Sequence, residues 1–181
     1  MKKIEYNGEI YYFYNNKFVD STFIEVDSQI KKELAKILFS EQDYKSYNEK
    51  ELLNFIKETK QTEAFLICKE ACLYGLENND FSFTFKKVIL PILTSALRSL
   101  KQSSIAIEKC SKYTLDEKYV SVPLCTSLAS AYCDVGDYES AFKYANIAYA
   151  IQGGGLGYKS ELSLVYMRIK KESNIKVDFV D

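Results

Sequence analysis

Leu128-Ala129-x-x-Tyr132-x-x-x-Gly136-x-Tyr138-x-x-Ala141, continued by Ala145 and Ala148, is the stretch whose reading decides the fold. Leu128, Ala129 and Tyr132 fall on one face of a helix, and Ala141, Ala145 and Ala148 fall on one face of the next. Gly136 between them can take the positive φ that a tight inter-helix turn often needs. A large residue on the first helix then packs against small residues on the second, so the two helices approach closely. The spacing predicts an antiparallel helical hairpin.

The pattern recurs. Tyr132 and Ala141 are nine residues apart, as are Leu97 and Ala106, and Phe55 and Ala64. Four positions after each small residue stand Cys68, Cys110 and Ala145, and three further on Ala71, Tyr113 and Ala148. Leu97 and Tyr132 are 35 residues apart, Tyr166 lies 34 beyond Tyr132, and the interval from Phe55 to Leu97 is 42, which places a longer loop there. No such unit buries its apolar face alone, so the units are expected to stack. The last helix, about 158–172, should cap the stack. It carries Leu162, Val165, Tyr166 and Ile169 inward and leaves Glu161, Arg168, Lys170, Lys171 and Glu172 largely to solvent. Pro91 falls inside a predicted helix and marks a kink or a later helix start.

The first 44 residues read differently. Asn7-Gly8 is a strong two-residue hairpin signal and Asn15-Asn16 a weaker one, with the strand-favouring run Glu9-Ile10-Tyr11-Tyr12-Phe13-Tyr14 between them. Phe18, Val19, Phe23, Ile24 and Val26 belong to the later strands of this meander. Asp27 or Ser28 then caps a helix whose apolar face holds Ile30, Leu34, Ile37 and Leu38. The expected organisation is 1–44 as a β-meander plus helix, and 45–181 as three helical hairpins with a C-terminal capping helix.

Composition narrows the function. Hydrophobic residues make up 47% of the 181 residues and charged residues 27%, which is globular. The formal net charge of −1 provides no overall field to attract nucleic acid or an anionic membrane. There is no histidine, which excludes His-based triads, His metal sites and His proton shuttles. The five cysteines include no CxxC pair and sit mostly on apolar helical faces, as buried free thiols of a reducing cytoplasm would. No signal peptide and no membrane-spanning stretch is read. Metal sites, cofactors and catalysis are not expected.

The repeat resembles the tetratricopeptide repeat. Over 122–155, Leu128, Ala129, Tyr132, Gly136, Tyr138, Ala141, Ala145 and Ala148 stand at signature positions, while Cys125 and Gly153 depart from it. Over 45–78 and 87–120 the likeness is weaker, with Thr59 and Lys101 where the turn glycine belongs. The resemblance implies a mainly α fold, an α-α superhelix of hairpins carrying the small N-terminal β-meander, α+β overall. It further implies an adaptor or scaffold that binds a protein or peptide partner on a concave face built from the first helix of each hairpin. Transferred residue by residue, that face holds Leu53, Ile56 and Lys57 from the first unit, Ile92, Ser95, Arg98 and Ser99 from the second, Thr126, Ser127, Ser130 and Asp134 from the third, and Leu164, Met167 and Arg168 from the cap helix. Arg98 and Lys57 are expected to receive a carboxylate. The Lys/Asn set with which some chaperone adaptors clamp a C-terminal carboxylate is missing. The alternative is a sensor or regulatory subunit that binds a small ligand in the same concavity. A homodimer through the aromatic strands or the apolar 81–101 helix is a further expectation, against which core burial accounts for that helix equally well.

Other motifs give bland readings. Gln152-Gly153-Gly154-Gly155-Leu156-Gly157 lacks the Gly-Lys-Ser/Thr ending and the preceding strand of a phosphate loop, and reads as a connector. Tyr11, Tyr12, Phe13 and Tyr14 could stack bases, but residues 1–44 hold six basic and eight acidic residues, the wrong balance for nucleic acid. One aromatic row should instead pack on helices and the other form an exposed patch.

Overall fold

The computed structural model describes residues 1–177, and the last four positions of the expected 45–181 region lie outside the described residues. It is mainly helical, with eight α-helices and one small antiparallel sheet among the described residues. The chain forms two compact units, Met1–Ile89 and Leu90 onward, the division falling within the fourth helix.

The first unit opens with the three-stranded meander β1 (Lys2–Tyr6), β2 (Glu9–Tyr14) and β3 (Lys17–Val19), in the order β1-β2-β3. Its turns are those the sequence encodes, with Asn7, Gly8, Asn15 and Asn16 all at positive φ. Alternation along β2 buries Tyr11 and Phe13 and exposes Ile10 and Tyr14. Phe13 meets Phe18 at 4.9 Å and the edge of Phe39 at 6.1 Å, so one aromatic row does pack on a helix. The later strands are shorter than expected. Phe23, at φ 63, and Ile24 are exposed, and beyond β3 only the single bridge Val19–Glu25 forms.

Helix α1 (Ser28–Ser40) starts where Asp27 accepts from the amides of Gln29 and Ile30. Helix α2 (Glu49–Gln61) starts at a reciprocal cap between Asn48 and Glu51. It packs against α3 (Phe65–Glu77), whose Cys68, Ala71, Cys72 and Gly75 are buried. Here the expected register is off by one helical turn. Phe55 and Thr59 both lie inside α2, and the turn residue is Glu63, at φ 64. Glu63 N–H donates to the carbonyl of Lys60 and Ala64 N–H to that of Thr59. Aligned on that turn, the small residues of α3 are Cys68, Cys72 and Gly75, and Cys68 lies against α2, its thiol donating to the Ile56 carbonyl at 3.6 Å.

Helix α4 (Phe83–Ser99) runs through Pro91 as one continuous helix. In the second unit, α5 (Ser103–Cys110) is short, and short 3-10 turns over 111–119 replace its expected continuation through Tyr113. Helices α6 (Val122–Asp134) and α7 (Tyr138–Ile151) form the hairpin read from the signature stretch, and α8 (Glu161–Glu172) packs on both. The core of this unit joins Cys125, Ala129 and Cys133 of α6 with Ala141, Ala145 and Ala148 of α7 and Leu162, Val165, Tyr166 and Ile169 of α8. Tyr166 is fully buried and donates its hydroxyl to Asn146 Oδ1 at 2.8 Å. No helix among the described residues is long and apolar enough to cross a membrane.

Candidate functional site

The second unit carries an open cleft of about 640 Å³. Ser95, Arg98 and Ser99 reach it from the last turns of α4, Lys101 from the turn, and Ser103 and Ser104 from the start of α5. Asp134 and Val135 close it from the end of α6, and Arg168 from α8. Apart from Val135, every lining side chain is polar or charged.

Asp134 organises the floor. Its Oδ2 accepts from Arg98 Nε at 2.8 Å and from Ser103 Oγ at 2.9 Å, and its Oδ1 accepts from Arg168 Nη1 at 2.6 Å. Arg168 is held further by Glu172 Oε2 at 3.0 Å and by the Cys133 carbonyl at 3.0 Å. Glu172 also accepts from the Tyr138 hydroxyl at 2.9 Å. Side-chain exposures of 25% for Asp134, 29% for Arg98 and 35% for Arg168 put these pairs between surface and core, where screening is incomplete. Burial works against the Asp134 carboxylate, but hydrogen bonds from Arg98, Arg168 and Ser103 outweigh it and hold its carboxyl below the usual carboxylate range. The Lys101 side chain makes no ion pair or hydrogen bond among the described residues and stands in the cleft as a free cation.

Five of the residues expected on the binding face therefore meet in one place: Ser95, Arg98, Ser99, Asp134 and Arg168. Arg98 is not a free receptor, since its expected carboxylate is already supplied by Asp134. Arg168, expected to face solvent, is likewise engaged. Ile92, Ser127 and Ser130 are half-buried, and Leu164 and Met167 are exposed on α8, but none of them lines the cleft. Two assignments are corrected. Ile56 is fully buried on the inward face of α2, a consequence of the one-turn slip, and Thr126 is buried inside α6 with its hydroxyl unpartnered among the described residues. Leu53, half-buried, and Lys57, exposed, belong to the first unit. That unit has a smaller hollow of about 290 Å³ whose charged lining is Glu51 and Glu58, with no cation. Lys101, Ser103 and Ser104 were missed because the register considered first helices only, whereas the turn and the start of the second helix complete the cleft.

The thiols offer no competing site. All five cysteines are free and buried. Burial raises Cys110 and Cys125 and pushes Cys133 up to about 11, so these are neutral thiols rather than nucleophiles. No group of three or more Cys, Asp or Glu suited to a metal ion occurs among the described residues. In comparisons with known proteins, no family model, no curated protein and no solved structure matches the chain.

Proposed function

We propose that this chain is an interaction module of the tetratricopeptide-like type, and that its second unit takes a segment of a partner protein in the cleft around Arg98, Lys101 and Asp134. The observation that carries this reading is the convergence of the cleft's side chains from α4, α5, α6 and α8, all helices of a repeating hairpin pattern. The repeat itself has further support in the turns. Glu63, Lys101 and Gly136 all take left-handed φ, 38 and 35 residues apart, and all sit in the same pair of turn hydrogen bonds. The site has donors, acceptors and an open mouth, but no acid–base pair or nucleophile poised for chemistry, so binding is the activity it suits. Its volume falls in the range of small-ligand pockets, roughly 300–1,000 Å³, which keeps the small-ligand sensor as the second reading.

The test is selection of a displayed random-peptide library on the immobilised protein, with binders then measured on the wild type, Arg98→Glu and Lys101→Glu. Lys101→Glu is the informative variant, because its side chain holds nothing in the fold. Selected peptides should lose about tenfold in affinity on it. Peptides that bind wild type and both variants alike would move the contact away from this cleft. A library that yields no binders, together with thermal stabilisation by a small metabolite, would replace the adaptor reading with the sensor.

A further inference from the structure

We propose that the cleft recognises a phosphate monoester, carried on the segment of the partner chain; this rests on the peptide-binding reading above. Three cations line it, Arg98, Lys101 and Arg168, against one carboxylate, Asp134, which leaves two positive charges for a ligand to neutralise. Glu172 lies outside the lining but is bound to Arg168 and takes up part of that arginine's charge. The point between Arg98, Ser103 and Arg168 already holds an anion, the Asp134 carboxylate, with four donor contacts from those three residues. Asp134 thus acts as a built-in occupant that takes the forked, planar donors of Arg98.

What remains for an incoming ligand is different in kind. Lys101 is a compact point charge with three donors and no partner among the described residues. Ser95, Ser99 and Ser104 line the same cleft and bring three further hydroxyls to it. A free ammonium and separate single-hydroxyl donors in one cleft suit a tetrahedral oxyanion with several acceptor oxygens better than they suit a planar carboxylate, because the arginine fork that matches a carboxylate is already filled by Asp134. A phosphate monoester also brings nearly two charges at neutral pH.

The chain has no histidine, and the charged groups facing the cleft are Arg98, Lys101, Arg168, Asp134 and, through Arg168, Glu172. Neither carboxyl takes up a proton between pH 5 and 7.5, because hydrogen bonds to their cationic and hydroxyl partners hold those of Asp134 and Glu172 below the usual carboxylate range, and the one side chain that ordinarily titrates in that window, histidine, is absent from the chain. Any pH dependence of binding in that window therefore belongs to the ligand. The second ionisation of a phosphate monoester lies near pH 6 and that of inorganic phosphate about one unit higher, so binding of either rises across the window, whereas sulfate, a dianion throughout, should not change.

The experiment is a titration of the full chain, at low ionic strength and followed by amide NMR. The ligands are inorganic phosphate, sulfate, a degenerate phosphoserine peptide library and the same library with glutamate for phosphoserine. The proteins are wild type, Lys101→Gln, Asp134→Asn and, as a charge control outside the cleft, Glu139→Gln. Phosphate should shift the amides of Lys101, Ser103 and Ser104 saturably, more tightly at pH 7.5 than at pH 5, with sulfate equal at both. Lys101→Gln should weaken phosphate about fivefold, and Asp134→Asn, by freeing both guanidiniums, should strengthen it about fivefold; Glu139→Gln should do neither.

The phosphoserine library should bind tighter than phosphate alone, which identifies a partner chain as the source. If phosphate binds as expected but the library gains nothing, phosphate chemistry stands and the peptide reading fails. If the glutamate library binds as well as the phosphoserine library, the peptide reading stands and the phosphate proposal fails. Absence of saturable shifts with phosphate, or an Asp134→Asn variant that binds it no better than wild type, also overturns the proposal.

Discussion

Lys101 closes α4 with the same left-handed turn with which Gly136 closes α6. Lys101 N–H donates to the Arg98 carbonyl and the next amide, Gln102, to Leu97; Gly136 N–H donates to Cys133 and the next, Asp137, to Tyr132. The backbones match, at φ 61 and φ 79, but lysine carries a Cβ that left-handed geometry disfavours. Lys101→Gly should therefore stabilise the protein by about 0.5–1 kcal/mol, the relief of strain less the extra entropy of glycine in the unfolded chain. The reverse change, Gly136→Lys, meets no atom within 4 Å and should cost about 1 kcal/mol through the backbone alone. Urea denaturation of the two variants checks both signs. Opposite results would mean that side-chain contacts, not φ, set stability at these turns. A stabilised Lys101→Gly protein that binds anions less well would show that the lysine is retained for its charge.

The shared carboxylate predicts an acid limit. The Asp134 carboxyl lies below its ordinary value in the fold. A depressed carboxyl stabilises the fold fully above the unfolded value, near 4, and this contribution is lost as pH falls through the lower folded value. Asp134→Asn removes that dependence and leaves Arg98 and Arg168 facing each other without the charge between them. It should lower stability at pH 7 by about 1 kcal/mol, with a smaller difference from wild type at pH 2 to 3. Thermal melts of both proteins across pH 2–7 read this directly. A constant difference at all pH values would assign the loss to packing.

How much of this was legible in the sequence follows from where local signals were strong. The α6–α7–α8 core was readable because Ala141, Ala145 and Ala148 are small, regularly spaced and preceded by a glycine turn, and because Leu162, Val165, Tyr166 and Ile169 hold one clean face. All of these residues are buried. The α2–α3 hairpin was misread by one turn because Phe55 with Ala64 imitates the spacing that Thr59 and Cys68 fulfil. Nothing in the sequence marks Thr59 as facing inward; it satisfies its hydroxyl on the carbonyls of Phe55 and Ile56. Arg98, Asp134 and Arg168 were each found by register. Their bonding to one another was not, because it joins residues 34 and 36 apart on three helices, and periodicity reports the face of a helix, not the side chain opposite.

The cysteines predict an unreactive native state. Cys133 is pushed up to about 11 by burial, and Cys110 and Cys125 are raised for the same reason. Cys68 differs, since a hydrogen bond from Cys72 lowers it, but its side chain has no exposed surface. At pH 8 an aromatic disulfide reagent should find essentially no fast-reacting thiol in the folded protein and all five in denaturant. One fast thiol in the native protein would identify local opening, and at Cys68 it would place that opening in the α2–α3 hairpin.

Gly75 shows why a residue unfavourable in a helix is used at the third small position of that hairpin. In the interior of α3 glycine costs roughly 0.5–1 kcal/mol relative to alanine. Yet a Cβ at Gly75 would lie 2.8 Å from Phe85 Cε1 and 3.0 Å from Ile89 Cδ1. Both of those side chains are themselves buried, at 4% and 0% exposure, so neither can swing into solvent to make room. Overpacking of this kind costs about 1–3 kcal/mol, which exceeds the gain in helix propensity. Gly75→Ala should therefore destabilise the protein by about 1 kcal/mol, and Gly75→Ala combined with Phe85→Leu should recover part of the loss. A double-mutant cycle by urea denaturation measures the coupling. If the single variant is more stable than wild type, propensity governs this position and the close approach of Phe85 is soft.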